Sequence, residues 1–174
     1  ILCIAGFCKG AAFLRAANAG VFVAASAGNS GPAVAVAHVS PWLTTVAASP
    51  HDRMFSATVS LGNGSSYTGA SINTSALSAS PMIKSVDAKA ATATVADANL
   101  CFLNSGGFPT LDPAKASGKV VVCTRGTNAR VEKSLTVANA GGVGMVLVDN
   151  GAGLVAETHS VPTVHVTAAD GALI

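Results

Sequence analysis

The chain has 174 residues, half of them hydrophobic and 10% charged, with a net charge of +2. That length accommodates one domain or two small ones. The weak charge, with no block of Lys or Arg, removes the electrostatic case for binding nucleic acid or an acidic membrane surface, and no apolar run is long enough to span a bilayer.

The apolar start, Ile1 to Phe7 followed by Lys9, reads as the beginning of a core helix. A secretion signal would need an initiating Met and a basic stretch before the apolar run. From Ile1 to Gly171-Ala172-Leu173-Ile174 the chain reads as an excised piece of something longer. Ala11, Leu14, Ala17 and Asn18 sit at helical spacing and predict a helix over 10–19, stopped at Gly20. Val21–Ala25 predicts a buried strand. It runs into the glycine-bracketed turn Ser26-Ala27-Gly28-Asn29-Ser30-Gly31-Pro32, which presents one amide side chain, Asn29. Leu43–Ala48 predicts a second strand of the buried parallel type. Ala57–Leu61 and Ser66–Thr68, on either side of Gly62-Asn63-Gly64, predict a hairpin. From Asn73 to Ala98 the composition shifts to Ala, Ser and Thr with little pattern, and a domain boundary is placed near residue 75.

The second part is better patterned. Lys119–Cys123 predicts a strand. Asn128 is the expected cap of a helix over Ala129–Ala140, with Val131, Leu135 and Ala138 on its apolar face and Gly141-Gly142 as its stop. Val143–Val148 and Val161–Val166 predict further strands, with a turn at Asp149-Asn150-Gly151. Strand, helix and strand in succession imply a parallel crossover. Gly141-Gly142-Val143-Gly144 joins a helix to a strand, whereas phosphate loops join a strand to a helix. No repeated unit is present.

The run from Gly20 to Pro32 resembles the oxyanion-hole segment of subtilisin-like serine proteases. The match continues through Ser40-Pro41-Trp42-Leu43-Thr44-Thr45-Val46-Ala47-Ala48-Ser49. Gly118-Lys119-Val120-Val121-Val122-Cys123-Thr124-Arg125-Gly126 and Ala140-Gly141-Gly142-Val143-Gly144-Met145-Val146-Leu147 are similar to the protease-associated domain that plant-type subtilases carry inserted in their catalytic domain. The resemblance implies an α/β chain. Residues 1–75 would be a partial subtilase catalytic domain, a parallel-sheet segment. Residues 76–174 would be a protease-associated α/β domain with a bent β-sheet or open barrel.

Subtilase catalysis needs a serine nucleophile, a histidine base, an aspartate that orients it, and donors for the oxyanion. The resemblance covers the stretch that carries the donor, and it implies that Asn29 is the oxyanion-hole residue. The alternative is a turn Asn that bonds its own backbone. The Asp and His motifs are expected before residue 1. The serine motif, of Gly-Thr-Ser-Met-Ala type, is expected after residue 174. His38 reads as a structural histidine among Ala and Val, and His51 beside Asp52 as a surface pair. His159 and His165 flank a strand with no third ligand nearby. Ser26 and Ser30 do not form a Gly-x-Ser-x-Gly elbow.

Four cysteines are present. None makes a CxxC pair and no histidine completes a zinc set, so neither metal nor cofactor is expected. Plant-type subtilases have cysteines placed like Cys101 and Cys123, which implies a disulfide around the turn-rich segment between them, against two buried thiols. A bridge would favour an oxidising compartment. Cys3 and Cys8 read as buried thiols. Arg125, Arg130, Glu132 and Lys133 read as a solvated helix face, against a partner-contacting surface.

The resulting expectation is a fragment of a secreted or extracellular subtilisin-like serine endopeptidase. The parent hydrolyses peptide bonds and the fragment lacks the Asp/His/Ser triad. The alternative is a non-catalytic protein-binding or assembly module acting through the protease-associated domain. Expected partners are protein or peptide substrates, with no nucleic acid and no membrane span. Self-association through exposed sheet edges is also expected.

Overall fold

A computed structural model describes residues 7–30, 35–49 and 53–174. The apolar start, Cys3, the end of the Asn29 turn at Gly31-Pro32, and the pair His51-Asp52 lie outside the described residues, as does the side chain of Cys8. The chain divides into two compact units, Ile1–Asp52 and Arg53–Ile174.

In the first unit, helix α1 spans Phe7–Asn18. Gly20, at φ +77°, closes it: its N–H reaches Ala17 O at 3.0 Å, and the Val21 N–H reaches Ala16 O at 3.0 Å. This is the paired end-bonding that a left-handed glycine permits. Strand β1, Ala24–Ser26, pairs in parallel with β2, Thr44–Val46. The strand expected over Val21–Ala25 thus begins three residues later, where β2 supplies a ladder partner. The expected burial of these strands is not found. All of β2 and two of the three residues of β1 are exposed, and Phe22 just before β1 is 78% exposed.

The second unit is built on an open, mixed six-stranded sheet of order β3-β4-β10-β9-β8-β5. Strands β3 (Ser56–Ser60) and β4 (Ser66–Ala70) form the antiparallel hairpin expected around Asn63-Gly64. Gly64, at φ +90°, takes the turn position that favours glycine. Strand β5, Met82–Lys84, lies at the other edge. Helix α2 (Val95–Asn99) follows, capped by the Thr94 hydroxyl. Next come the ribbon of β6 (Asn104–Ser105) and β7 (Phe108–Pro109), and helix α3 (Pro113–Ala116). Strand β8 (Val120–Thr124), helix α4 (Arg130–Asn139) and strand β9 (Gly144–Val148) make the parallel crossover. Strand β10 (Thr163–Val166) and helix α5 (Ala168–Leu173) complete the described order. The sheet does not close into a barrel: β3 and β5 remain its edges.

The core of this unit packs Leu111, Val121, Cys123, Val137, Met145 and Leu147. Helix α4 turns a different face to it than its apolar pattern suggests. Val131 is 44% exposed and Leu135 40% exposed, while Lys133 is fully buried. Asn128 is not the helix cap either. Ala129 occupies that position without a side-chain bond, because the Asn128 side chain is engaged with Glu132 and Lys133.

The two halves of the sheet join where β4 meets β10, and Gly69 makes that approach possible. A Cβ there would lie 2.3 Å from the His165 carbonyl oxygen, a backbone atom of the neighbouring strand. Gly69→Ala is therefore expected to lower the unfolding free energy by about 1–3 kcal/mol, as overpacking does, in urea denaturation. An unchanged midpoint would contradict this account of the junction.

Candidate functional site

The turn after β1 is held by backbone bonds on both sides. The Ala27 N–H donates to Val46 O at 2.9 Å and the Ala37 N–H to Ala27 O at 2.9 Å. His38 Nδ1–H donates to the Ser26 carbonyl at 2.8 Å. The His38 ring is itself braced edge-on by Phe13, with centroids 5.8 Å apart, and Thr45 Oγ1 donates to the His38 carbonyl. Gly28 sits at φ +86°, and a Cβ there would come to 3.0 Å from the Ala37 Cβ. Only glycine meets both demands, conformation and closeness. His38 thus does the structural work expected of it, fixing the strand end that leads into the turn.

Asn29 follows at a bend and is exposed. Its carboxamide makes no hydrogen bond with any described residue. Ser26 and Ser30 are exposed beside it.

In the second unit, the charged residues expected on a solvated helix face are instead internal partners. Arg125 follows β8 and Asp149 follows β9, at the carboxyl ends of adjacent parallel strands. Arg125 Nη1 donates to Asp149 Oδ1 at 2.9 Å. Asp149 Oδ2 accepts the backbone N–H groups of Gly151 at 2.9 Å and Gly153 at 3.1 Å. Burial pushes the Asp149 carboxyl up. The bonds from Gly153, Arg125, Gly151 and Asn150 outweigh burial and hold it below the ordinary carboxylate range. His165, on β10, accepts the Val155 N–H on Nδ1 at 3.0 Å, and its Nε2 faces Asp149 Oδ1 at 3.4 Å. Burial, aided by Arg125 and Arg130, lowers its pKa against the opposing pull of the Val155 carbonyl and Asp149, so the ring is neutral near pH 7. These three side chains fasten the loop 149–155 to the strand ends. Sequence spacing could not bring them together, since they belong to three strands.

Helix α4 carries the second internal cluster. Arg130 pairs with Glu157 through two donors. Ser134 Oγ donates to Val131 O and accepts from the Ser160 N–H and His159 Nδ1–H, each at 3.1 Å. Burial also lowers the His159 pKa. On the facing side, Glu132 Oε1 accepts the Leu103 N–H at 3.0 Å and an Asn128 N–H at 3.1 Å. Lys133 Nζ donates to Leu100 O and Asn128 Oδ1. Between those contacts a disulfide joins Cys101 to Cys123. Among the described residues, no group of three or more His, Cys, Asp or Glu side chains is arranged to hold a metal. Among the described residues, no helix is long and apolar enough to cross a membrane.

One further feature is a groove of about 450 Å³. It lies between the sheet and the segment 71–80, lined by Thr58, Ser60, Ser71, Leu77, Met82 and Val146 among others. Its lining mixes hydroxyl and apolar groups, without a charged side chain.

Comparison with known proteins gives a consistent result. A family model described as the PA domain matches residues 86–174. "Subtilisin-like protease SBT5.3" of Arabidopsis thaliana is 46% identical over 163 residues, covering 90% of this chain and 20% of its own length. "Subtilisin-like protease SBT5.4" of the same plant is 41% identical over 163 residues, with the same coverage. "Subtilisin-like protease SBT1.6", also from Arabidopsis thaliana, is 41% identical over 160 residues, again covering 90% of this chain and 20% of its own. The chain therefore spans about one fifth of the length of these curated relatives.

Lys133 makes a signed prediction. Burial lowers its pKa from 10.5 to about 8, against the weaker pull of Glu132. Below about 8 the folded state carries a buried ammonium. Between about 8 and 10.5 the unfolded chain holds more protons, so stability should rise with pH across that window and level off above it. The rise should be on the order of 3 kcal/mol in urea titrations and absent from the profile of Lys133→Met. A flat wild-type profile would refute the buried-ammonium account. Independently, the double replacement Cys101→Ser with Cys123→Ser should cost about 2–4 kcal/mol of unfolding free energy, and reducing agent should destabilise the parent chain but not this variant.

Proposed function

Because the chain belongs to the PA-domain family and plant subtilisin-like proteases match it along 90% of its length, we propose that it is part of a secreted subtilisin-like serine endopeptidase in which Asn29 donates to the oxyanion. The observation that carries this reading is the anchored turn of the first unit. Its amide is exposed, makes no hydrogen bond with any described residue and follows the end of a parallel strand, inside the stretch that resembles the subtilase oxyanion segment. In such an enzyme a serine, made nucleophilic by a histidine base, attacks the scissile carbonyl. Asn29 would then bind the oxygen as it becomes negative, lowering the barrier to the acyl-enzyme. The serine, histidine and aspartate belong to parts of the parent other than the residues described.

In this reading residues 1–75 belong to the catalytic domain and 76–174 to the protease-associated domain. The hairpin β3–β4 and the rest of the sheet then join the two, since β4 hydrogen-bonds to β10. Protein or peptide chains are the substrates, and the Cys101–Cys123 bridge supports an extracellular setting. A binding or assembly role for the second unit is favoured by one separate observation, the uncharged groove over its sheet.

The test uses the full-length protein encoded by the complete reading frame. Asn29→Ala should lower kcat about 100- to 1,000-fold with little change in KM, the magnitude known for the same donor in subtilisin. An unchanged kcat would sink the assignment. The 174-residue chain alone should not react with a serine-directed fluorophosphonate, and covalent labelling of any of its serines would show a nucleophile that this reading denies.

A further inference from the structure

The tip of the β3–β4 hairpin carries a pattern that proteolysis does not use. Asn63-Gly64-Ser65 is an Asn-x-Ser acceptor sequence with a non-proline centre. Gly62, Asn63 and Gly64 are all exposed, and a side-chain carbon built on either glycine would meet nothing within 4 Å. Asn63 Oδ1 accepts the Ser65 backbone N–H at 2.9 Å. The carboxamide is thus held by its oxygen, while its nitrogen makes no hydrogen bond with any described residue.

A second acceptor sequence, Asn73-Thr74-Ser75, offers the contrast. There the side-chain nitrogen is engaged: Asn73 Nδ2 donates one of its two hydrogens to the Ser75 carbonyl. The Asn73 N–H donates to Ser71 Oγ at 3.1 Å, and the residue lines the groove over the sheet. A glycan at Asn73 would crowd the groove and leave the nitrogen a single hydrogen with which to keep its bond to Ser75. A glycan at Asn63 would extend from a turn into open solvent.

We propose that Asn63 is an N-glycosylation site and is used in preference to Asn73. The donor is an oligosaccharide linked through pyrophosphate to a lipid. The Asn63 nitrogen forms a bond to the anomeric carbon of the first sugar. The bond from that carbon to the phosphate oxygen breaks, the lipid pyrophosphate leaves with the electron pair, and the amide gives up one proton. The proposal rests on the reading of the chain as secreted, because the transfer occurs in the secretory lumen. The disulfide points to the same oxidising compartment.

The test is expression of this chain behind a cleavable secretion leader in a eukaryotic host, followed by peptide N-glycosidase in heavy-oxygen water and peptide mass spectrometry. Asn63 should be converted to heavy-labelled Asp in most molecules. The modification should vanish in Asn63→Gln and in Ser65→Ala, persist in Ser65→Thr, and persist in Asn73→Gln. An unmodified Asn63 in secreted chain whose Cys101 and Cys123 resist alkylation would overturn the proposal, as would a glycan that survives Asn63→Gln and is lost in Asn73→Gln. The leader forces entry into the lumen, so these outcomes bear on the acceptor alone. The secretion reading fails separately if the full-length gene product remains in the cytosol, which would overturn both.

Discussion

The second unit depends on how residues 100–103 are held against the sheet and helix α4. That segment has no ladder of its own. It is fastened covalently through Cys101 to Cys123 on β8, and on either side by polar bonds to α4, from Lys133 to Leu100 and from Leu103 to Glu132. Cys101 pays a conformational cost there, lying at φ +46°, where residues with a side chain are uncommon. Such a conformation persists only where the surroundings over-determine it. Bridge and clamp supply that over-determination together, and the ammonium buried for the purpose satisfies a carbonyl and an amide oxygen that would otherwise be stranded. Leu111, Ala116 and Val137 can then close over Cys101 and Cys123 as a continuous core.

The same logic governs the opposite end of the parallel strands. A carboxylate at the end of β9 would be costly to bury alone. Asp149 is buried because a guanidinium from the neighbouring strand end and two glycine N–H groups of its own loop converge on it. Gly151 and Gly153, at φ +94° and +95°, let that loop fold back over the carboxylate. Helix α4 consequently buries polar Lys133, Ser134 and Thr136 beside the core residue Val137, and leaves Val131 and Leu135 exposed. Loops pack on that face beside strand β9, and loops bring backbone N–H and C=O groups that need partners.

This explains what could be read from the sequence and what could not. Local signals were faithful. Gly20 and Gly141 end helices, Asn63-Gly64 turns a hairpin, and the runs around Val121, Val146 and Val164 are strands. Helix α2 also had a local signal, Thr94 three residues before Asp97, which the Ala/Ser/Thr composition around it obscured. The misread positions are those whose environment is set at long range. Lys133 has no sequence neighbour that announces burial, since its partner carbonyl is 33 residues away. Asn128 has the chemistry of a cap, but Lys133 and Glu132 compete for its side chain and win it. Strand β5 is three residues long and becomes a strand only by lying against β8.

The first unit shows the converse. Its parallel pair is short and exposed, although parallel strands are ordinarily covered on both faces. Yet the turn that matters is set by contacts within about twenty residues: Val46 and Ala37 on the backbone, and His38 with Phe13 beneath the strand end. A donor for an oxyanion has to be in place before charge develops, so its position is best encoded in backbone bonds that do not wait for substrate. Under the proposed reading, those anchors place the turn that carries Asn29 before any substrate arrives, and the exposed carboxamide, which makes no hydrogen bond with any described residue, keeps both of its N–H groups for the oxyanion.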